Sequence, residues 1–203
     1  DEGSNRSINL AASGSGAVQV VTSGVTLTLN GAISGGGSLS MNGAGDLLLG
    51  GSTNTYSGGT NINSGTLTIA NSSGSATGTG NVTMNGGVLA SSGATAAISG
   101  NVIDGGTSAY TIAPGGVGTV GTLTLGGLTA TSLGTLNFDL GTGSGEITNG
   151  DLLVLGSGTV SVARRWWAMI IASSEIRAAA RLSMRFHWAI SLFPPPRPAI
   201  RFH

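Results

Sequence analysis

Cysteine and lysine are both missing from this 203-residue chain, and only 8% of its residues are charged. Without thiols there are no disulfides and no thiolate zinc sites. Without lysine the Gly-x-x-x-x-Gly-Lys phosphate loop cannot be built, so Gly-rich runs such as Gly141–Gly145 are not nucleotide sites. Eight basic residues balance eight acidic ones. That leaves no net positive field to neutralise phosphates and argues against nucleic acid as a partner. The longest apolar run, Trp166–Ala172, falls far short of the roughly 20 residues of a membrane-spanning helix. Aromatics make up 4% of the chain, too few for the wide core of a β-sandwich. No Gly-X-Y period exists, which excludes collagen.

What is present is a repeat. Thirty-seven glycines are interleaved with short alternating runs rather than pooled as in a linker. Val25–Leu29, Asp46–Leu49, Thr66–Ile69 and Gly87–Leu89 place Leu27, Leu47, Leu67 and Leu89 about 20 residues apart, the length of one solenoid unit. A second series, Val18/Val20, Leu39/Met41, Ile62, Val82/Met84 and Val102, lies between them with the same step. Each unit therefore contributes at least two strands, and about eight coils are expected. In Val25-Thr-Leu-Thr-Leu29 the apolar residues share one face and the threonines the other. Thr122–Leu125 and Leu136–Leu140 repeat the alternation. Asn30-Gly31, Gly35-Gly36-Gly37, Asn42-Gly43, Gly58-Gly59 and Asn85-Gly86-Gly87 supply turns with positive φ. Asn-Gly also marks hairpins, but the near-constant repeat and the lack of helical patterns before Ala163 favour an all-β parallel solenoid.

The segment Leu39–Ile69 resembles the autotransporter-associated β-strand repeat. It carries a Gly-Ala-Gly-x-Leu-x-Leu strand at Gly43–Leu49, an Asn-x-Tyr-Ser-Gly-Gly-Thr turn at Asn54–Thr60 and a Gly-Thr-Leu strand at Gly65–Leu67. Gly78–Leu89 and Ala113–Leu125 resemble continuations of the same family, so the likeness covers most of residues 10 to 162. It implies a right-handed parallel β-helix exported to the outside of a bacterial cell, with no common catalytic residues. An outer-membrane translocator or anchor is expected from the resemblance and is absent from this chain. The chain opens Asp1-Glu2-Gly3 without an initiator methionine or signal peptide, and reads as an internal fragment.

Candidate sites are few. Asp46 follows Asn42–Gly45 in a distant likeness to calcium-binding β-rolls, but one carboxylate builds no calcium shell; it reads as the solvent edge of a strand. Asp139, Glu146 and Asp151 are the one local concentration of carboxylates. Paired carboxylates a few ångströms apart serve glycoside hydrolysis, yet the repeat region has neither histidine nor lysine beside them, and solvated charge is the expected role. Asn71-Ser-Ser and Asn81-Val-Thr match a eukaryotic glycosylation sequon, which carries no meaning in a bacterial-looking chain. Tyr56 and Tyr110 read as turn anchors rather than sugar platforms. No catalytic, cofactor-binding or metal-binding residue is assigned, and no cofactor is expected.

After Ala163 the composition reverses. Residues 1 to 163 hold seven of the eight carboxylates against Arg6 alone; residues 164 to 203 hold seven arginines against Glu175. The tail, helical or disordered, collects all three tryptophans and most prolines. Arg177, Arg181 and Arg185 would form a basic stripe on a helix, suited to an anionic membrane surface or to capping the solenoid end. Out-of-frame translation from about residue 163 accounts better for the abrupt switch. His187 and His203 lack partners for a metal. The sequence thus points to two parts, a β-helix over 1–163 and a basic aromatic tail over 164–203. The expected function is a non-enzymatic stalk or adhesive passenger at the cell surface, touching glycans or host and neighbouring cells. The alternatives are a fragment of a β-helical polysaccharide-active enzyme and a tail that binds membrane.

Overall fold

A strand with leucines on one side and threonines on the other must have its apolar side covered. The computed structural model describes residues 5–93, 96–130, 133–139, 150–156, 160–162 and 171–172, and it covers that side by stacking. All pairings between its strands are parallel, each strand lying on its counterpart one coil earlier. The product is a β-solenoid of about five turns. Among the described residues there is no helix, hence none long and apolar enough to cross a membrane. The chain divides into two compact units, Asp1–Ser173 and Ser174–His203; all that is described belongs to the first.

Three faces make up a coil, with strands numbered β1 to β18 along the chain. The first face opens with β1 (Ile8–Leu10) and β4 (Ile33–Gly35). The second carries β2 (Ser15–Val20), β5 (Ser38–Gly43), β7 (Thr60–Ile62) and β9 (Val82–Met84). The third carries β3 (Thr26–Leu29), β6 (Asp46–Leu49), β8 (Thr66–Ile69), β10 (Val88–Ser91), β12 (Tyr110–Ala113) and β14 (Gly134–Leu136). Two long strands, β11 (Ala96–Asp104) and β13 (Thr122–Ala130), run through both the first and second faces, with a register shift between Ile98 and Asn101. β16 (Leu152–Leu155) and β17 (Val160–Val162) both stack on β13. Last, β15 (Phe138–Asp139) pairs with β18 (Ile171–Ala172).

Both leucine-type series expected from the repeat stack in register. Leu27, Leu47, Leu67, Leu89, Ile112 and Leu136 form one column, and Val18, Met41, Ile62 and Met84 another. Leu47, Leu67, Leu89 and Ile112 are fully buried, each worth about 1.5–3 kcal/mol of transfer free energy. Leu27, on the first coil, is 41% exposed because no described coil covers it.

Three expectations are corrected. Coils are fewer than eight because they lengthen: Leu47 meets Leu67, but Val102 meets Leu128 and Leu123 meets Leu153. The run Leu136–Leu140 is not one strand; Asn137 separates β14 from β15 and gives its N–H to Ile112 O at 2.9 Å. Finally, the glycine pairs divide their labour. Gly59 has φ +86° and supplies the turn, whereas Gly58 lies outside the left-handed region and packs on the backbone of Gly37. A Cβ at Gly37, Gly58, Gly80, Gly100 or Gly126 would come closer than 3.0 Å to the preceding coil. One corner of the solenoid thus admits no side chain.

Candidate functional site

The Asn54–Thr60 motif lies on the third coil, where the first face has no strand, and its side chains do the work of the missing backbone ladder. Asn54, 5% exposed, accepts the Ile33 N–H at 2.8 Å through Oδ1 and donates from Nδ2 to Ala76 O at 2.6 Å. One amide therefore bridges the coil before and the coil after, satisfying buried backbone groups that would otherwise be orphaned. Around it the backbone adds Thr55 N–H to Ile33 O and Thr79 N–H to Tyr56 O. Asn71 does half of this, accepting the Ala97 N–H of the next coil while donating within its own turn to Ser73 O and Gly74 O, each at 3.0 Å.

Tyr56 is fully buried, and its hydroxyl shares a 2.6 Å hydrogen bond with Thr60 Oγ1. Burial pushes the phenol up to about 12; the Thr60 hydrogen bond pulls the other way without reversing it. Tyr56 anchors the turn, as expected, and also serves as a core residue. Thr60 was not in the expected apolar series, yet it occupies the column Leu39, Thr60, Val82, Val102 at 1% exposure. Its partner is what allows a hydroxyl there, and that pairing was visible only as the spacing of Tyr and Thr inside the motif. Tyr110 is also buried.

Beside the motif runs a shallow groove of about 410 Å³ between Ser57, Gly58, Asn61, Asn81 and Thr83. A second, of about 390 Å³, shares Gly58 and continues past Gly37 and Ser38 to Ser13. The groove follows the corner closed to side chains, and its described lining offers amides, hydroxyls and backbone but no titrating group. It can form hydrogen bonds with a neutral ligand. At the turn between the second and third faces an asparagine ladder runs up the solenoid: Asn63 Nδ2 donates to Asn42 Oδ1 at 3.0 Å, and Asn85 Nδ2 to Asn63 Oδ1 at 2.8 Å.

Of the three neighbouring carboxylates, Asp139 and Asp151 are brought together and Glu146 lies outside the described residues. Asp151 takes the Gly121 N–H on Oδ1 and the Asp139 N–H on Oδ2, both at 2.8 Å, while Asp139 Oδ2 takes the Gly118 N–H at 2.6 Å. Desolvation raises the Asp151 carboxyl above its ordinary value, the two backbone N–H groups lower it, and the charge of Asp139 adds to the rise. Three of their four oxygens accept backbone N–H groups and so tie loops together. Asp46 opens β6, half-buried, in register with Thr26 and Thr66. Among the described residues no group of three or more metal-ligating side chains is present. Gly141–Gly145, the arginine stripe, His187 and His203 lie outside the described residues.

Residues 39–69 match the family model described as passenger-associated-transport-repeat. No curated protein and no solved structure matches the chain. The matched segment spans β5 to β8 and contains the whole Asn54–Thr60 motif. Family match and β-solenoid together fit an autotransporter passenger-like repeat protein, and such a repeat implies export to the surface.

Proposed function

We propose that this passenger-like solenoid is a non-catalytic stalk or adhesive surface of an exported bacterial protein. The observation that carries the reading is the outward chemistry of the stacked coils. Ser40, Asn61 and Thr83 form one exterior row in register, Asn42, Asn63 and Asn85 a second, and Thr26 and Thr66 flank Asp46 on the third face. A hydroxyl- and amide-rich surface, sparse in charge and repeated at the inter-strand spacing of about 4.8 Å, suits many weak contacts in parallel. Glycans and neighbouring cell surfaces are partners of that kind, and their affinity would come from valency rather than from one pocket. Arg6 is the one basic residue of 1–163, so the surface cannot gain affinity by releasing counterions from nucleic acid.

The test uses the full chain immobilised at rising density and probed with glycan panels and intact cells. Adhesion predicts retention that climbs steeply with density, and a passive stalk predicts none at any density. The enzymatic alternative rests on the Asp139–Asp151 pair. Polysaccharide cleavage by the chain, abolished in Asp139→Asn and Asp151→Asn, would overturn the proposal in its favour.

A further inference from the structure

Among the described residues three asparagines precede a glycine: Asn30, Asn42 and Asn85. Asn-Gly is the chemically weak dipeptide of a protein chain. Glycine has no Cβ to shield its nitrogen, so that nitrogen can attack Cγ of the preceding amide. A five-membered imide forms, the side-chain nitrogen leaves as ammonia, and water opens the ring at either carbonyl to give aspartate or isoaspartate. The attack needs a side-chain amide free to turn onto the backbone, and the three sites differ in that freedom.

Asn42 and Asn85 are held by a shared neighbour. Asn63 donates to Asn42 Oδ1 and accepts from Asn85 Nδ2, so both amides have fixed orientations. Their main chains are held as well. Gln19, Asn42 and Gly43 lie in paired strands, with Gly43 opposite Val20, and the Asn85 N–H bonds Ile62 O at 2.8 Å. Asn30 has neither kind of hydrogen-bonded restraint; its Oδ1 only packs against Gly50. It is exposed, follows the end of β3 in an irregular corner, and among the described residues makes no side-chain hydrogen bond. We infer that the asparagine ladder protects Asn42 and Asn85 from imide formation, and that Asn30 is the described site at which the folded solenoid deamidates.

The product would not be neutral for the fold. Gly31 lies against the backbone of Arg6, so close that a Cβ there has no room. An isoaspartyl link adds a backbone methylene beside that contact and loosens the first coil. Conversion of Asn85 would instead set a carboxylate against Asn63 Oδ1, removing the donor of the upper ladder bond.

The experiment is peptide mapping by mass spectrometry after incubation of the full chain at mildly alkaline pH, folded and in denaturant, reading the amide-to-acid mass gain at each site. In denaturant all three sites should convert at similar rates. In the folded chain Asn30 should convert several-fold faster than Asn42 and Asn85. Asn63→Ala removes both ladder bonds without touching an Asn-Gly pair, and should raise conversion at Asn42 and Asn85 several-fold while leaving Asn30 unchanged. Equal rates at the three sites in the folded chain overturn the inference. So does an Asn63→Ala chain that still resists denaturant as the parent does, yet leaves Asn42 and Asn85 slow.

Discussion

The coils from Ile33 to Ser92 and those from Tyr110 to Leu155 share one alternation pattern but differ in their spacing and in what their polar side chains tie. In the first group successive third-face strands meet after nearly constant spacings: Leu47 on Leu67, Leu67 on Leu89. Their inward leucines, isoleucines and methionines are fully buried. In the second group the chain between stacked residues lengthens, as from Leu123 to Leu153; Ile112, Leu123 and Leu125 stay fully buried, and Leu136, Leu153 and Leu155, on the end strands of their sheets, are only partly buried against the core. Loops there are tied by side chains. Ser91 accepts the Gly115 N–H at 2.8 Å and donates to Thr122 O, and the Asp139–Asp151 pair collects the N–H groups of Gly118, Gly121 and Asp139. Constant spacing lets apolar stacking do the holding. Where chain is inserted, polar side chains tie the added loops while Ile112, Leu123 and Leu125 keep their burial.

Five substitutions would break or sharpen this contrast. Leu67→Ala should cost about 2–5 kcal/mol, because a fully packed column cannot collapse around the cavity. Leu153→Ala should cost no more than about 1.5 kcal/mol, since solvent already reaches it. Equal costs in urea titrations would show the end strand to be packed as tightly as the middle of the stack. Asn54→Ala comes next, at about 2–3 kcal/mol, because it strips partners from both Ile33 N–H and Ala76 C=O. Amide exchange should speed up at Ile33, and unchanged exchange there would mean that the bridge is dispensable.

Tyr56→Phe should cost about 1 kcal/mol near neutral pH for the lost Thr60 hydrogen bond. The pH dependence has a definite sign. The folded phenol ionises only near 12, above its ordinary 10, so its contribution is whole below pH 10 and is lost as pH rises from 10 toward 12. Tyr56→Phe should therefore flatten alkaline unfolding over that window, and an unaltered alkaline limb would place the sensitivity elsewhere. Smallest is Asp151→Asn, about 1 kcal/mol, because an amide supplies one acceptor where two N–H groups need one each. The Asp151 carboxyl is raised in the fold, so its linkage favours the folded state on the acid side and fades as pH rises through the raised value. The penalty of the substitution should accordingly grow on acidification, and a penalty that shrinks would reverse the assignment.

Much of this was legible beforehand. The alternation of Thr26–Leu29 and Thr66–Ile69 and the step of about 20 residues led to the correct strands and columns, since period two and a repeat step are properties of one dimension. Thr60 and Asn54 were not legible as interior residues: their polarity marks them for the surface unless the partner is known. Nor was the closed corner at Gly37, Gly58 and Gly80, because a glycine kept for close approach looks the same in sequence as one kept for positive φ. The carboxylate cluster was seen, but Gly118 and Gly121, which occupy its oxygens, lie about 20–30 residues from their partners, as far as one repeat or more.

By itself the sequence determined the strands, their inward and outward faces, and the parallel stacking, because each follows from side-chain period and repeat length along the chain. Only the tertiary structure decided how each polar group is used. Asn54 became a bridge between coils, Thr60 a core residue, Asp151 a loop tie and Asn63 the centre of a ladder. The physical reason is that a hydrogen bond between coils joins residues a repeat apart, and whether donor and acceptor meet depends on the stacking register, which no local stretch of sequence contains.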